Sequence, residues 1–286
     1  MESSGIYSNR SLSFESLFKV SKPIIATLHL QPLPGSAFYG GEPLSRILEV
    51  ALKEVSFYLD AGIDGVIVEN HGDVPFVKEN AIGGETIAAM SVVASKVREV
   101  TRTRGTAMGI NVLANAGQIA VSVAKAAGAD FVRVNEWVNG YVANEGFVEG
   151  KAGEILRHRS RIFANDIKIF ADVHVKHGSH SIVADRSLRE LSKDATFFCA
   201  DVLIATGSRT GDPPTAEELQ GIRVGDAPVV IGSGLRVDNL EEILTLADGA
   251  IVASYFKEDG VWQNPVAKSR VVAFMREVRR RFRGEK

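Results

Sequence analysis

The chain has 286 residues, of which 45% are hydrophobic and 24% charged, a balance that suits a globular protein with a large core. That length fits one α/β barrel or two modest domains, and a net charge of −2 (33 basic, 35 acidic) gives no basic excess to attract nucleic acid. A single cysteine, Cys199, excludes an intrachain disulfide and a cysteine zinc site, and no uncharged apolar run is long enough to span a membrane.

In chain order, Met1 to Ser13 is polar and lacks the apolar centre of a secretory signal, so the cytoplasm is the default compartment. Residues 1–20 read as an N-terminal extension and 21–286 as one domain. Short β-rich apolar runs then recur at 24–29, 65–69, 107–112, 131–135, 167–176, 202–206, 229–232 and 250–254. Helical patterns follow at 43–59, 85–103, 116–127, 151–165, 187–198, 215–222, 239–247 and 265–283. Alternating strands and helices make a parallel sheet, and eight such units are expected to close into a (β/α)8 barrel. The basic run Arg276–Arg283 reads as the solvated face of the last helix. Cys199, just ahead of an apolar strand, reads as a small buried hydrophobe.

A weak repeat supports the barrel. Helices hand over to strands through Ala61-Gly62-Ile63-Asp64, Ala127-Gly128-Ala129-Asp130, Cys199-Ala200-Asp201 and Ala247-Asp248. These returns are short, whereas the loops leaving the strands (30–42, 70–84, 136–150, 177–186 and 207–214) are long and polar. Function is therefore expected on the face where strands end. An open doubly wound sheet would place a glycine-rich turn after the first strand, where this chain has Gln31-Pro32-Leu33-Pro34-Gly35.

The fifth strand carries the densest chemistry. Alternation puts Asp172, His174 and Lys176 on one face and Val173 and Val175 on the other. The valines suit the helical layer, so the three ionisable groups are expected in the barrel mouth, either as a reacting centre or as a self-satisfied polar cluster. Arg133 and Asn135 share a face of the fourth strand, with Arg133 suited either to an anionic ligand or to a pair with Asp172 or Glu69. Glu69 and Asn70 end the second strand, Asn111 the third and His29 the first. His29, Glu69, Asp172 and His174 also leave a divalent metal open, although no motif spacing stands behind one. Thr206-Gly207-Ser208, Gly232-Ser233-Gly234 and Ser254 end the last three strands in small residues, the pattern of a backbone anion site, and a tight turn is the alternative. Lys257 beside them reads as an exposed lysine.

Leu28-His29-Leu30 with Leu33-Pro34-Gly35, Glu69-Asn70-His71-Gly72-Asp73-Val74-Pro75-Phe76, Asp172-Val173-His174-Val175-Lys176-His177 and Thr206-Gly207 together resemble the BtpA/SgcQ family over roughly Lys22 to Arg281. That family is similar to ribulose-phosphate-binding barrels, and its cyanobacterial namesake is associated with photosystem I stability. Members in non-photosynthetic bacteria and archaea imply another role. Phe is usual where this chain has His71, so a loop contact is expected to differ. Two functions follow. One is an enzyme working on a small phosphorylated molecule by proton transfer, isomerisation or carbon–carbon cleavage. In it Asp172, His174, Lys176, Glu69 and Asn111 would be catalytic, and His29, Asn70, Arg133, Asn135, Thr206, Gly207, Gly232, Ser233, Gly234 and Ser254 would bind the ligand. Lys176 would alternatively form a Schiff base. The other is a non-catalytic assembly factor. No cofactor is expected, and self-association of the chain is left open.

Overall fold

The computed structural model describes residues 10–207 and 211–284, which leaves Ser208 outside the described part. In chain order the elements are α1 (Arg10–Phe18), β1 (Ile24–His29), α2 (Leu44–Ala61), β2 (Gly65–Glu69), α3 (Gly84–Thr103), β3 (Ala107–Asn111), α4 (Gly117–Ala127) and β4 (Phe131–Val134). A hairpin follows, β5 (Gly140–Ala143) and β6 (Gly146–Glu149), then α5 (Ala152–Arg161), β7 (Lys168–Asp172), α6 (Leu188–Phe197) and β8 (Val202–Ala205). The chain ends with α7 (Ala216–Ile222), β9 (Val229–Ile231), α8 (Leu240–Leu244), β10 (Gly249–Val252) and α9 (Lys268–Phe282). Eight parallel strands close in the order β1-β10-β9-β8-β7-β4-β3-β2, so the fold is a TIM barrel.

Strand alternation separates two cores. Outward residues such as Val66, Val68, Ile110, Val132 and Ala171 join the helical layer. Inward residues Ile25, Ile67, Ala107, Phe131, Phe170, Val202, Ile204, Val230 and Ile251 fill the barrel from its lower end. Phe14 and Phe18 of α1 close that end from below, edge-on to each other with ring centroids 5.0 Å apart. Above them Phe131 and Phe170 stack at 4.3 Å. Helix α1 thus supplies the plug of the barrel.

The repeated aspartates are clasps. Asp64, Asp130, Asp201 and Asp248 each accept the backbone N–H of Ile24, Met108, Ile169 and Val229 at 2.8 Å. Each also meets an arginine from a helix or its flank: Arg283, Arg98, Arg159 and Arg223 respectively. A charged acceptor on a buried strand-end N–H is a strong hydrogen bond, and here it sets strand register at the lower end. Cys199 is half-buried rather than buried, because it takes the left-handed position (φ 64°) at the end of α6 that Gly62 and Gly128 fill in the sister returns.

At the upper end the strand-to-helix loops meet one another. The Leu33 N–H donates to Asp73 at 2.8 Å, tying the first loop to the second. Gly72 lies so close to the Leu30 carbonyl that a Cβ there would come within 2.5 Å of it, which explains the glycine. The β5–β6 hairpin, absent from the sequence reading, stands on the same rim. Among the described residues no helix is long and apolar enough to cross a membrane.

Candidate functional site

The upper mouth holds a cavity of about 670 Å³. His29, Glu69, Asn111, Arg133, Asn135, Lys176, Gly232, Ser233, Gly234 and Ser254 all line it, as expected from sequence. Register explains the first three: His29, Glu69 and Asn111 are successive Cα partners across β1, β2 and β3. All three therefore stand at the same height and face inward. Asn111 donates from Nδ2 to Glu69 Oε2 at 2.6 Å, while Glu69 Oε1 lies 3.7 Å from His29 Nε2.

Arg133 and Asp172 form a two-pronged pair, Nε to Oδ1 at 3.0 Å and Nη2 to Oδ2 at 2.8 Å. The pairing expected as one alternative is thus made. The Asp172 side chain is fully buried behind the arginine, which it orients. Asn135 adds a long contact to the same carboxylate, 3.5 Å from Nδ2, and its own Oδ1 is buried without a partner.

Lys176 differs from its neighbours. It reaches the cavity without a hydrogen bond or ion pair among the described residues. Burial, then the adjacent Arg133, push its amine down to about 8, against the pull of Asp172, Glu69 and Asp212. Glu136, which follows Asn135, shows the mirror effect: burial and then Asp172 push its carboxyl up to about 9. Burial holds His29 well below the usual imidazole range, with His71 the next cause, and burial also lowers His71.

Four expected residues serve elsewhere. His174 is exposed and does not line the cavity; its ring stacks on His180 at 3.7 Å. The reason is that β7 ends at Asp172, not Lys176. Beyond it the chain swings to the hairpin, where Ser179 and Val142 exchange backbone hydrogen bonds of 3.0 and 2.8 Å. Strict alternation therefore fails after Asp172, so Lys176 points in while His174 points out. The metal set that needed His174 and Asp172 is consequently not assembled. Asn70 is a loop brace, bonded to Asp73, the Leu113 carbonyl and the Leu113 N–H. Thr206 donates to the His174 carbonyl at 3.1 Å. Gly207 is pressed against the Asp212 carbonyl, where a Cβ would come within 2.4 Å. Ser233 lines the cavity, but its hydroxyl accepts from the Gly211 N–H and donates to the Asp212 carbonyl. Lys257, expected to be exposed, is buried and paired with Glu54 at 3.0 Å.

Other lining residues were not among the expected site residues: His71, expected only to alter a loop contact, and Tyr141, Arg236, Tyr255, Trp262 and Arg270. Arg270 donates to the Tyr255 carbonyl at 2.6 Å and lies over the Tyr255 ring at 4.7 Å. A signal for it existed. A base in the first turn of a helix opposes the helix dipole, and Lys268 and Arg270 both stand there with no acid.

With the geometry in place, comparison with known proteins is informative. An uncharacterized mitochondrial protein of Caenorhabditis elegans is 40% identical over 266 residues, covering 92% of this chain and 95% of that one. The Photosystem I biogenesis protein BtpA of Synechocystis is 35% identical over 260 residues, covering 90% and 88%. Among solved structures, thiamine phosphate pyrophosphorylase from Pyrococcus furiosus superposes with a TM-score of 0.55 at 19% identity, covering 92% of this chain and 98% of that one, a likeness of fold. A family model described as the BtpA family matches residues 20–280, and the chain belongs to that family.

Proposed function

We propose that the protein is an enzyme whose reacting group is the Lys176 amine, acting on the carbonyl of a small phosphorylated metabolite. One observation carries this reading: an amine brought into a cavity with no carboxylate partner, while the two buried carboxylates that act on it, Glu69 and Asp172, are bonded to Asn111 and Arg133. Leaving a cation unpaired there is unfavourable, and a lowered pKa near 8 makes the neutral, nucleophilic amine accessible at physiological pH. The amine would accept a proton beside the carbonyl. Alternatively it would add to the carbonyl carbon and, with loss of water, form an imine. Arg133, held in place by Asp172, would bind an anionic substrate group. The phosphate would sit across the cavity against the backbone at Gly232–Gly234 and Ser254, with Arg236 and Arg270 supplying charge.

The test is a panel of phosphorylated aldoses, ketoses and keto acids incubated with the protein in D2O. Deuterium entry beside the carbonyl, read by NMR, is expected for at least one compound and is lost in Lys176→Met. If borohydride traps an adduct on Lys176 the imine route is selected. No exchange and no adduct across the panel, together with no shift in melting temperature under millimolar inorganic phosphate, would end the proposal.

A second reading, attachment to a larger assembly, has one observation behind it, the name of the Synechocystis relative. It predicts that mouth substitutions leave the assembly role intact.

A further inference from the structure

His71 has no part in the chemistry of Lys176, yet it helps form the one group of three or more metal-ligating side chains gathered together among the described residues. His29 from the end of β1, Glu69 from the end of β2 and His71 from the loop beyond each offer a ligand atom, all within 4.8 Å of one another. The two imidazoles stack with centroids 4.2 Å apart and planes 25° from parallel. We propose that these three residues bind a first-row divalent transition metal, with its remaining coordination positions open to the cavity.

Three further observations support a ligand here. The His29 side chain is only 9% exposed and its Nδ1 has no hydrogen-bond partner, and the His71 Nδ1 is likewise buried and unpartnered. Buried imidazole nitrogens without partners are uncommon, and these mark a pair of rings that the surrounding chain does not fully satisfy. Glu69 is oriented in the manner of a ligating carboxylate. Asn111 holds Oε2 at 2.6 Å, leaving Oε1 on the side of His29 at 3.7 Å. Trp262 packs on both rings, with centroids 4.4 Å from His71 and 6.3 Å from His29.

Charge and geometry permit the ion. Lys257, a buried cation that acts on His29, is neutralised by Glu54 at 3.0 Å, and Arg133 is paired with Asp172. Bonds of about 2.0–2.2 Å in a tetrahedral site require ligand atoms roughly 3.5 Å apart, so the group must close by about 1 Å. His71 sits on a loop and can supply that movement. Two nitrogens and one oxygen select zinc, cobalt, manganese or ferrous iron over magnesium or calcium, and three protein ligands leave a position for substrate or water. The site uses residues other than the amine and stands apart from the reading of Lys176.

The test is titration of the chelator-stripped full-length protein with Co2+, followed by visible absorption and calorimetry, with competition by Zn2+. One equivalent is expected to bind with a ligand-field band. His71→Phe keeps a ring in the stack and should weaken binding at least tenfold, as should Glu69→Gln, while Lys176→Met, which removes a cation facing the site, should not weaken it. Should one variant fail to fold, judged by circular dichroism, the other decides. No Co2+ uptake by the wild-type protein at millimolar metal, or unchanged affinity in the folded ligand variants, would overturn the site.

Discussion

The two ends of the barrel are built from the same strands and differ in what two residues of chain can do. On β7, Phe170 fills the lower interior and Asp172, next on the same face, is an ion in the mouth. The same step separates Phe131 from Arg133 and Ile67 from Glu69. Below, aromatic rings and the α1 plug exclude water and satisfy one another. Above, the groups are charged, partly unpaired and shifted in pKa. Stability is concentrated at one end so that the other can tolerate an arrangement that is unfavourable for folding and useful for binding.

Substitutions at the two ends should accordingly separate stability from turnover. Lys176→Met is expected to lower exchange of the true substrate by about 10²–10⁴-fold, the usual loss of an acid or base. The same variant should be more stable at pH 7. The folded amine titrates near 8 against an ordinary 10.5, so the unfolded chain holds the proton more tightly, and wild-type stability should rise as pH climbs from about 8 to 10.5. Denaturant melts across that range should show the rise in wild type and not in the variant. Phe170→Ala, at the closed end, should cost about 3–5 kcal/mol of stability and leave turnover per folded molecule within a few-fold. If Phe170→Ala instead removed activity with the fold intact, the two ends would not be separable.

Glu136→Gln is expected to change turnover less, and to act on the pH dependence of stability. Its carboxyl titrates near 9 when folded and near 4.5 otherwise, so the stability it gives by staying neutral is complete below pH 4.5 and is lost progressively up to about 9. The glutamine variant should flatten that fall, which urea melts at pH 5 and 8 would reveal. Smallest of all is His174→Ala, expected to change turnover less than about twofold, because a partner outside the cavity contributes no acid or base to the reaction. A large loss there would return His174 to the mouth.

The barrel was legible because apolar alternation and the Ala-Gly-x-Asp returns are local signals. β1 and β2 match their sequence limits residue for residue. What stayed hidden depended on partners distant in sequence. The turn after Asp172 is set by the β5–β6 hairpin, which no strong β pattern announced, and it reversed the expected side of His174. Asn70 and Thr206 are polar residues at strand ends, where a ligand contact and a loop brace look alike in sequence. His71 joins His29 only because two loops are laced together through Asp73.

The four aspartate clasps also bear on how such a chain can be cut and rejoined. Each joins an odd-numbered strand of the barrel to the next even one, so the molecule divides into quarters, each a β-α-β-α unit with its own fastening. A new terminus placed between quarters, near Gly105 or Gly225, would leave the backbone N–H bond of every clasp within an unbroken stretch of chain. One placed inside a quarter, between Ile24 and Asp64 for instance, would ask two separate ends to find the same bond. Permuted versions opened at the quarter boundaries should therefore reassemble where those opened within quarters do not.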